Sequence, residues 1–375
     1  MILKKIKTLS LLFVVLFSLI TVLEMPLTGY AATPTISYKS ELKMHAIDVG
    51  QGDCILLELP NGQKMLIDAG NSDNSSTIKK YLDSRNIKKI DYFIATHPHA
   101  DHIGSAAFIV NNYSIGSIYA PKVSTTTKTF ENFLLAVKKK CLKINTPVAG
   151  KYILNDKYKL EVQILAPNNT KYENLNDYSI VLKIKYRNIS FLLTGDASII
   201  SEQEMIEKGF DLKATLLKIG HHGSKYSTSS TFLSKVSPKY TVISVGKSNN
   251  YGHPSQEIIN RFIKAKVSIF RTDVSGTIIA SSNGYSIIFN KKASPIKPQA
   301  PPSTSIVNNK TSSIANTISS SSIDNKREAI VYITKTGEKY HHDGCQYLRK
   351  SKIPIKLKDA LSSGYTPCSR CSPPQ

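Results

Sequence analysis

Cysteine is scarce in this chain. Five cysteines in 375 residues are too few for a disulfide scaffold. Acidic residues are also in deficit: 27 Asp and Glu stand against 49 Lys and Arg, a formal charge of +22. That balance draws an exported chain toward polyanions such as DNA, RNA, teichoic acids or anionic lipid, although Lys written at every solvated position gives the same total. Beyond Leu23 no apolar run approaches the roughly 18 residues of a spanning helix, which excludes a later helical span. No internal repeat is present. Histidine is missing altogether between His102 and Asp196.

The N-terminus has what the rest lacks. A basic start, Lys4-Lys5-Ile6-Lys7, leads into an apolar stretch from Leu9 to about Leu23 and then Gly29-Tyr30-Ala31-Ala32. This order predicts a secretory signal peptide over 1–32 and a secreted or cell-surface protein, with a retained membrane anchor as the alternative. From 40 to 290, β-rich runs such as Lys64-Asp68, Leu160-Ala166 and Ser190-Thr194 alternate with helical stretches such as Thr129-Lys140 and Ser198-Lys208. The mixture predicts sheets covered by helices. Cys54 and Cys141 read as core residues of a strand and a helix. Residues 291–326, rich in Pro, Ser and Thr, read as a flexible linker that leaves a small domain at 327–375 uncoupled from the first.

The chemistry is densest at Thr96-His97-Pro98-His99-Ala100-Asp101-His102. Imidazole nitrogen and carboxylate oxygen are the ligands of Zn²⁺, Mn²⁺ and Fe²⁺. The apolar run Tyr92-Phe93-Ile94-Ala95 leads in as a buried strand, so the ligands follow a rigid element. Asp196 follows another strand, and Gly195 lets the backbone turn beside it. His221 and His222 follow Leu216-Leu217-Lys218-Ile219. On an extended backbone adjacent residues point in opposite directions, so only one of this pair is expected to bind an ion. Asp68 ends a strand, and Asp53 lies in the turn Gly50-Gln51-Gly52. His253 precedes a helix whose first turn contains Pro254 and Ser255, a place for an anion or simply a capping loop.

His97-x-His99-x-Asp101-His102 resembles the metallo-β-lactamase signature. The series continues through Asp48-Val49-Gly50-Gln51-Gly52-Asp53, Leu66-Ile67-Asp68-Ala69-Gly70, Thr194-Gly195-Asp196, Gly220-His221-His222-Gly223-Ser224 and Asn249-Asn250-Tyr251-Gly252-His253-Pro254. Together these resemble the extracytoplasmic domain of the ComEC family of DNA-uptake proteins, without its channel portion. The resemblance implies an αββα sandwich of α/β (α+β) class and two divalent metal ions, Mn²⁺ or Zn²⁺. It implies the ligands His97, His99, Asp101, His102, Asp196 and His221, with Asp196 bridging. His222 and His253 are then catalytic or substrate-contacting alongside Asp101 and Asp196, and Asp68 supports the His-bearing loop. Where related hydrolases place a third His, this branch has Asn176-Asp177-Tyr178-Ser179, so Asn176 and Ser179 become supporting residues and an oxygen-rich first sphere favours Mn²⁺. Asp53, Ser224 and Lys225 are candidates for support or phosphate contact. The implied activity is a phosphodiesterase, first of all a DNA nuclease. The alternatives are cleavage of teichoic acid or its phosphorylcholine, and a DNA- or wall-binding protein with a vestigial site. No obligate protein partner is expected.

Near the end, His341-His342-Asp343-Gly344-Cys345 and Cys368-Ser369-Arg370-Cys371 have zinc-site spacing. The stretch from Val331 to Cys368 resembles the metal-binding module of the Ada DNA-repair family. By that resemblance His341 (or His342), Cys345, Cys368 and Cys371 hold one structural Zn²⁺. About 45 residues are fewer than a core alone usually stabilises, so a metal fits. A disulfide between two of the three cysteines is the alternative.

Overall fold

The computed structural model describes residues 41–156, 159–295, 329–334, 339–349, 351–357, 360, 365–368, 370–371 and 373–374. The expected leader and the linker from 296 onward lie outside the described residues. Among the described residues, no helix is long and apolar enough to cross a membrane.

Two sheets lie face to face. The first has eight strands in the order β15 (Ile287–Phe289), β14 (Ile278–Ser282), β1 (Leu42–Ala46), β2 (Ile55–Glu58), β3 (Lys64–Ile67), β4 (Lys89–Ile94), β5 (Ser114–Tyr119) and β6 (Ile144–Asn145). The second has seven, in the order β13 (Ser268–Arg271), β12 (Tyr240–Ile243), β11 (Leu216–Lys218), β10 (Ile189–Leu193), β9 (Val181–Tyr186), β8 (Leu160–Ala166) and β7 (Tyr152–Asn155). Alternate residues of each strand point inward, and Met44, Leu57, Ile164, Leu182 and Phe191 fill the space between the sheets. The outer face of the first sheet buries Leu56, Leu66 and Phe93 under the helices Ser75–Asp83, Ala106–Asn112 and Lys128–Lys139. That of the second buries Leu192, Leu217 and Ile243 under Ile199–Glu207, Ser230–Val236 and Gln256–Lys264. This is the αββα sandwich.

Helix starts follow capping chemistry. Ser198, Ser229 and Ser255 each accept a backbone N–H of the first turn. The helix Ala106–Asn112 was not expected: Ser105 stands at its N-cap, but the hydroxyl donates to the Asn71 carbonyl and leaves the helix start uncapped. Cys54 is buried as expected, but Cys141 is exposed: it lies just past the helix Lys128–Lys139 with φ of 53°, beyond the face that packs on the sheet. Ordered contacts of this body reach Ser294, which hydrogen-bonds both ways with β13.

The tail forms a four-stranded sheet, with β16 (Ile330–Ile333) between β17 (Lys339–His341) and β18 (Ile353–Lys356), and β19 (Thr366–Pro367) beside β17. It is not uncoupled. Val331, Ile333, Tyr340, Ile355 and Tyr365 share one buried cluster with Ile199 and Tyr226 of the larger body. The Tyr226 and Tyr365 rings meet edge to face at 5.6 Å. The linker reading took composition as a measure of independence, and composition says nothing of the apolar surface that the tail strands present.

Candidate metal centre

All the candidate ligands sit where strands end. β3 delivers Asp68, β4 the His97–His102 loop, β10 Asp196, β11 the His221-His222 pair and β12 Ser244. The loop before β2 packs so closely on the His loop that a Cβ at Gly52 would overlap the Asp101 carbonyl oxygen. Across that contact the Asp53 N–H donates to Asp101 O at 3.1 Å.

Asp196 is the centre. It is 2 % exposed, and its backbone N–H donates to Ser179 Oγ. One carboxylate oxygen, Oδ1, faces His102 Nε2 at 3.2 Å and His222 Nε2 at 3.6 Å. The other, Oδ2, faces His97 Nε2 at 3.9 Å and His221 Nε2 at 3.8 Å. His222 Nε2 lies 3.2 Å from Asp101 Oδ2. Asp101, His102, Asp196 and His222 offer ligand atoms all within 4.8 Å of one another. His99 Nδ1 lies 3.0 Å from His97 Nε2, on the Oδ2 side.

The histidine pair differs from expectation. The resemblance makes His221 the ligand and His222 catalytic or substrate-contacting; the geometry groups His222 with Asp101, His102 and Asp196, and turns His221 to the Asp196 oxygen that His97 also faces. The extended-backbone argument fails because both residues are left-handed, with φ of 49° and 54°. Two successive left-handed residues fan their rings toward the same carboxylate. His221 thus stands where a third histidine seemed to be missing.

Four of these rings are anchored through Nδ1, leaving Nε2 for an ion. His102 Nδ1–H donates to Asp68 Oδ2 at 2.7 Å, and His222 Nδ1–H to the Ser244 carbonyl at 2.9 Å. His97 Nδ1 has Thr96 Oγ1 at 3.1 Å and Ser179 Oγ at 3.3 Å. Asn176 stands 3.4 Å from His221 Nδ1 with its own Oδ1 buried and without a partner. Rotating that amide by half a turn lets Oδ1 accept the His221 Nδ1–H. His102 Nε2, His222 Nε2 and Asp196 Oδ1 are buried with no hydrogen bond. Buried polar atoms in folded proteins are as a rule paired, and these three orphans converge on one point, which fits a bound cation. Asp68 also accepts from the Thr96 N–H and hydroxyl, which fixes the His loop.

Charge follows the same map. Burial alone would lower His102, but the Asp196 and Asp68 carboxylates hold it well above the usual imidazole value. Burial holds His97 well below it. Burial works to raise Asp196, and the surrounding imidazoles of His102, His222 and His221 outweigh it and hold the carboxyl well below its usual range. Burial and the charges of His221 and His222 push His253 down to about 4. Neutral near pH 7, His253 offers a hydrogen bond more readily than a proton.

An open cleft of about 320 Å³ lies above the ligands, lined by Gln51, His99, Asp101, His221, Tyr251 and His253 among others. Asn249 ties the rim: its side chain accepts from the Tyr251 and His253 N–H groups and donates to the Gly246 and His253 carbonyls. Ser224 and Lys225 do not line it. Ser224 Oγ accepts the Tyr226 N–H, and Lys225 lies over the Tyr226 ring. Asp53 is no phosphate contact either; it forms a 2.6 Å ion pair with Lys218, both side chains buried. The sequence signal for Lys218 is a lone cation inside the apolar run Leu216–Ile219, a place where a buried charge needs a partner.

Residues 47–247 match the family described as Metallo-beta-lactamase superfamily. The chain belongs to that superfamily. It is 31 % identical to ComE operon protein 3 of Bacillus subtilis (strain 168), over 65 % of this chain and 33 % of that protein. To Competence protein ComA of Neisseria gonorrhoeae it is 28 % identical, over 67 % of this chain and 34 % of that protein. To Recombination protein 2 of Haemophilus influenzae the identity is 29 %, over 64 % and 29 %. The chain therefore spans about a third of the length of these relatives. Among solved structures, the metallo-beta-lactamase fold protein YhfI of Bacillus subtilis is 13 % identical with a TM-score of 0.45, covering 64 % of this chain and 100 % of that one.

The tail carries a second cluster. His341, Cys345, Cys368 and Cys371 offer ligand atoms within 4.8 Å of one another. His341 Nδ1 lies 3.2 Å from Cys345 Sγ, whereas His342 is exposed and turned to the Asp343 carbonyl. The three thiols are unpaired. A Cys₃His set of this kind fits a small zinc-binding module.

Proposed function

We propose that this chain is an exported phosphodiesterase that cleaves DNA. The observation that carries the reading is the Asp196 carboxylate, shared between two groups of imidazoles on the floor of an open cleft. Two divalent ions held there would lower the pKa of a water and supply positive charge to both sides of an in-line displacement at phosphorus. The residues do the rest. Asp196 and the anchored histidines set the spacing, Asp101 and His222 fix one side, and His97, His99 and His221 fix the other. His253, held neutral and braced by Asn249, is placed to donate a hydrogen bond to a phosphate oxygen at the rim. The basic composition and the names of two relatives, a competence protein and a recombination protein, support DNA as the polymer. Export rests on the basic, apolar and small-residue order of the first 32 residues.

The expected preference for Mn²⁺ rested on a missing third histidine. With His221 on that side, a nitrogen-rich sphere suits Zn²⁺ as well. The test is to incubate purified protein with DNA, RNA and wall teichoic acid under Mn²⁺, Mg²⁺ and Zn²⁺. Cleavage of DNA that disappears in Asp101→Ala and Asp196→Ala supports the reading. Equal rates in wild type and both variants, or cleavage confined to teichoic acid, overturn it.

A further inference from the structure

A second polar groove lies at the far end of the same strands. It measures about 540 Å³, and Lys183, Lys185, Arg187, Lys213 and Lys239 line it against one carboxylate, Asp211. Chain direction fixes its place. β10, β11 and β12 run from the groove toward Asp196, His221-His222 and Ser244. Arg187 lies in the turn before β10, Lys213 precedes β11 and Lys239 precedes β12. The groove and the metal centre thus occupy opposite poles, separated by strands of β10's length, about 17 Å at some 3.3 Å per residue.

Neutralisation at the groove is uneven. Buried Lys183 is paired with Asp211 at 2.7 Å, and Lys185 has Glu161 at 3.7 Å. Lys213 and Lys239 are exposed, and Arg187 is braced rather than neutralised: its guanidinium lies over the Tyr186 and Tyr285 rings and donates to the Asn283 carbonyl at 3.1 Å. Arg187, Lys213 and Lys239 thus precede the neighbouring strands β10, β11 and β12 in a staggered line, Lys239 standing opposite Thr215 and two residues beyond Lys213. Strands in a sheet are about 4.8 Å apart and advance some 3.3 Å per residue, so the staggered cations spread over roughly 14 Å of the groove. A lone phosphate meets one or two of these cations. A linear chain of phosphodiesters meets all of them and releases counterions at each one.

We propose that this groove is a second binding site for the phosphate backbone of DNA, remote from the metal centre and serving to retain a long strand while another part of it is cut. The proposal rests on DNA being the substrate. Only a strand long enough to pass from one pole to the other gains from it.

The test uses the full chain with Lys213→Glu and Lys239→Glu combined, neither residue being part of the metal centre. Binding is measured on a 60-nucleotide DNA in the absence of added metal across a salt series. Hydrolysis is measured on bis(p-nitrophenyl) phosphate, which reaches only the cleft. The expected result is a fall in DNA affinity of about tenfold or more at low salt. The salt dependence should also become shallower, by roughly one unit of slope for each phosphate no longer neutralised. Hydrolysis of the small ester stays at the wild-type rate. Wild-type DNA affinity in the double variant overturns the groove while leaving the nuclease reading intact. A wild-type protein that binds 60-nucleotide DNA yet never cleaves it overturns the nuclease reading, and with it the groove's role in holding a strand for cleavage. An equal fall in ester hydrolysis and DNA binding shows general damage to the fold and counts against the groove, and Lys213→Gln with Lys239→Gln then has to show the selective loss for the proposal to stand.

Discussion

Lys218 and Asp53 form an ion pair 2.6 Å long between two buried side chains, directly beneath the metal centre. Lys218 is the residue two before the Gly220-His221-His222 turn, and Asp53 is held by backbone hydrogen bonds to the Asp101 loop and to Gly70. The pair therefore pins two ligand-bearing loops to each other.

Removing one partner leaves the other charge buried and alone, which costs about 3–5 kcal/mol. Asp53→Asn and Lys218→Met should each be destabilised on that scale. The double variant should lose clearly less than the sum of the two. Urea unfolding of the four proteins checks this, and additive losses would sink the idea.

The two histidines of the left-handed turn should be separable by metal content. His222→Ala should lose the ion that Asp101 and His102 share, and His221→Ala the one beside His97 and His99. Elemental analysis of metal-loaded protein should then read close to one ion in the body for each single variant. Combining His222→Ala with Asp101→Ala should lower the count no further, whereas His222→Ala with His221→Ala should empty both positions. Loss of both ions in either single variant would contradict the assignment.

Glu202 is fully buried, and its carboxylate accepts the N–H groups of Thr228 and Ser229, in the segment that follows the histidine pair. Burial pushes its pKa up from 4.5 to about 7. The unfolded chain gives up this proton near 4.5 and the folded chain near 7. The stability it contributes is complete below pH 4.5 and is lost as the pH rises through 7. Asp177, pushed up to about 6 by burial, acts in the same direction. Glu202→Gln should flatten the fall of Tm between pH 5 and 7.5, whatever its absolute Tm. An unchanged slope would show that Glu202 is ionised throughout.

The tail cluster should matter to the larger body. Cys368→Ser removes one of four ligands and should release the Tyr365–Tyr226 contact. Hydrogen exchange in residues 224–231 should then quicken several-fold, and Tyr365→Ala should do the same with the tail metal retained. Exchange rates equal to wild type in both would mean that the tail rests on the body without stabilising it.

Much of this molecule was legible in its sequence, and the reason is local. The His97–His102 cluster, Asp196 and Asp68 each follow an apolar strand, so position along the chain gave position in space. The alternation of strands and helices gave the layers. What escaped depends on contacts that no local pattern encodes. The hand of the His221-His222 turn decides which ring meets which oxygen of Asp196, and two consecutive non-glycine residues at positive φ are not expected from composition. Lys218 finds Asp53 across 165 positions. The tail's attachment depends on the shape of an apolar patch at Ile199 and Tyr226, far upstream in the chain.

That patch has a practical side. A chain cut after Ser294 would present to solvent the surfaces of Ile199 and Tyr226 that the tail strands now cover. Newly bared apolar and aromatic surface makes molecules adhere to one another. A shortened protein that expresses poorly or precipitates would report lost colloidal stability, and its low yield of product would say nothing about chemistry at Asp196. Any dissection of this protein into parts should first replace Tyr226 with a polar residue.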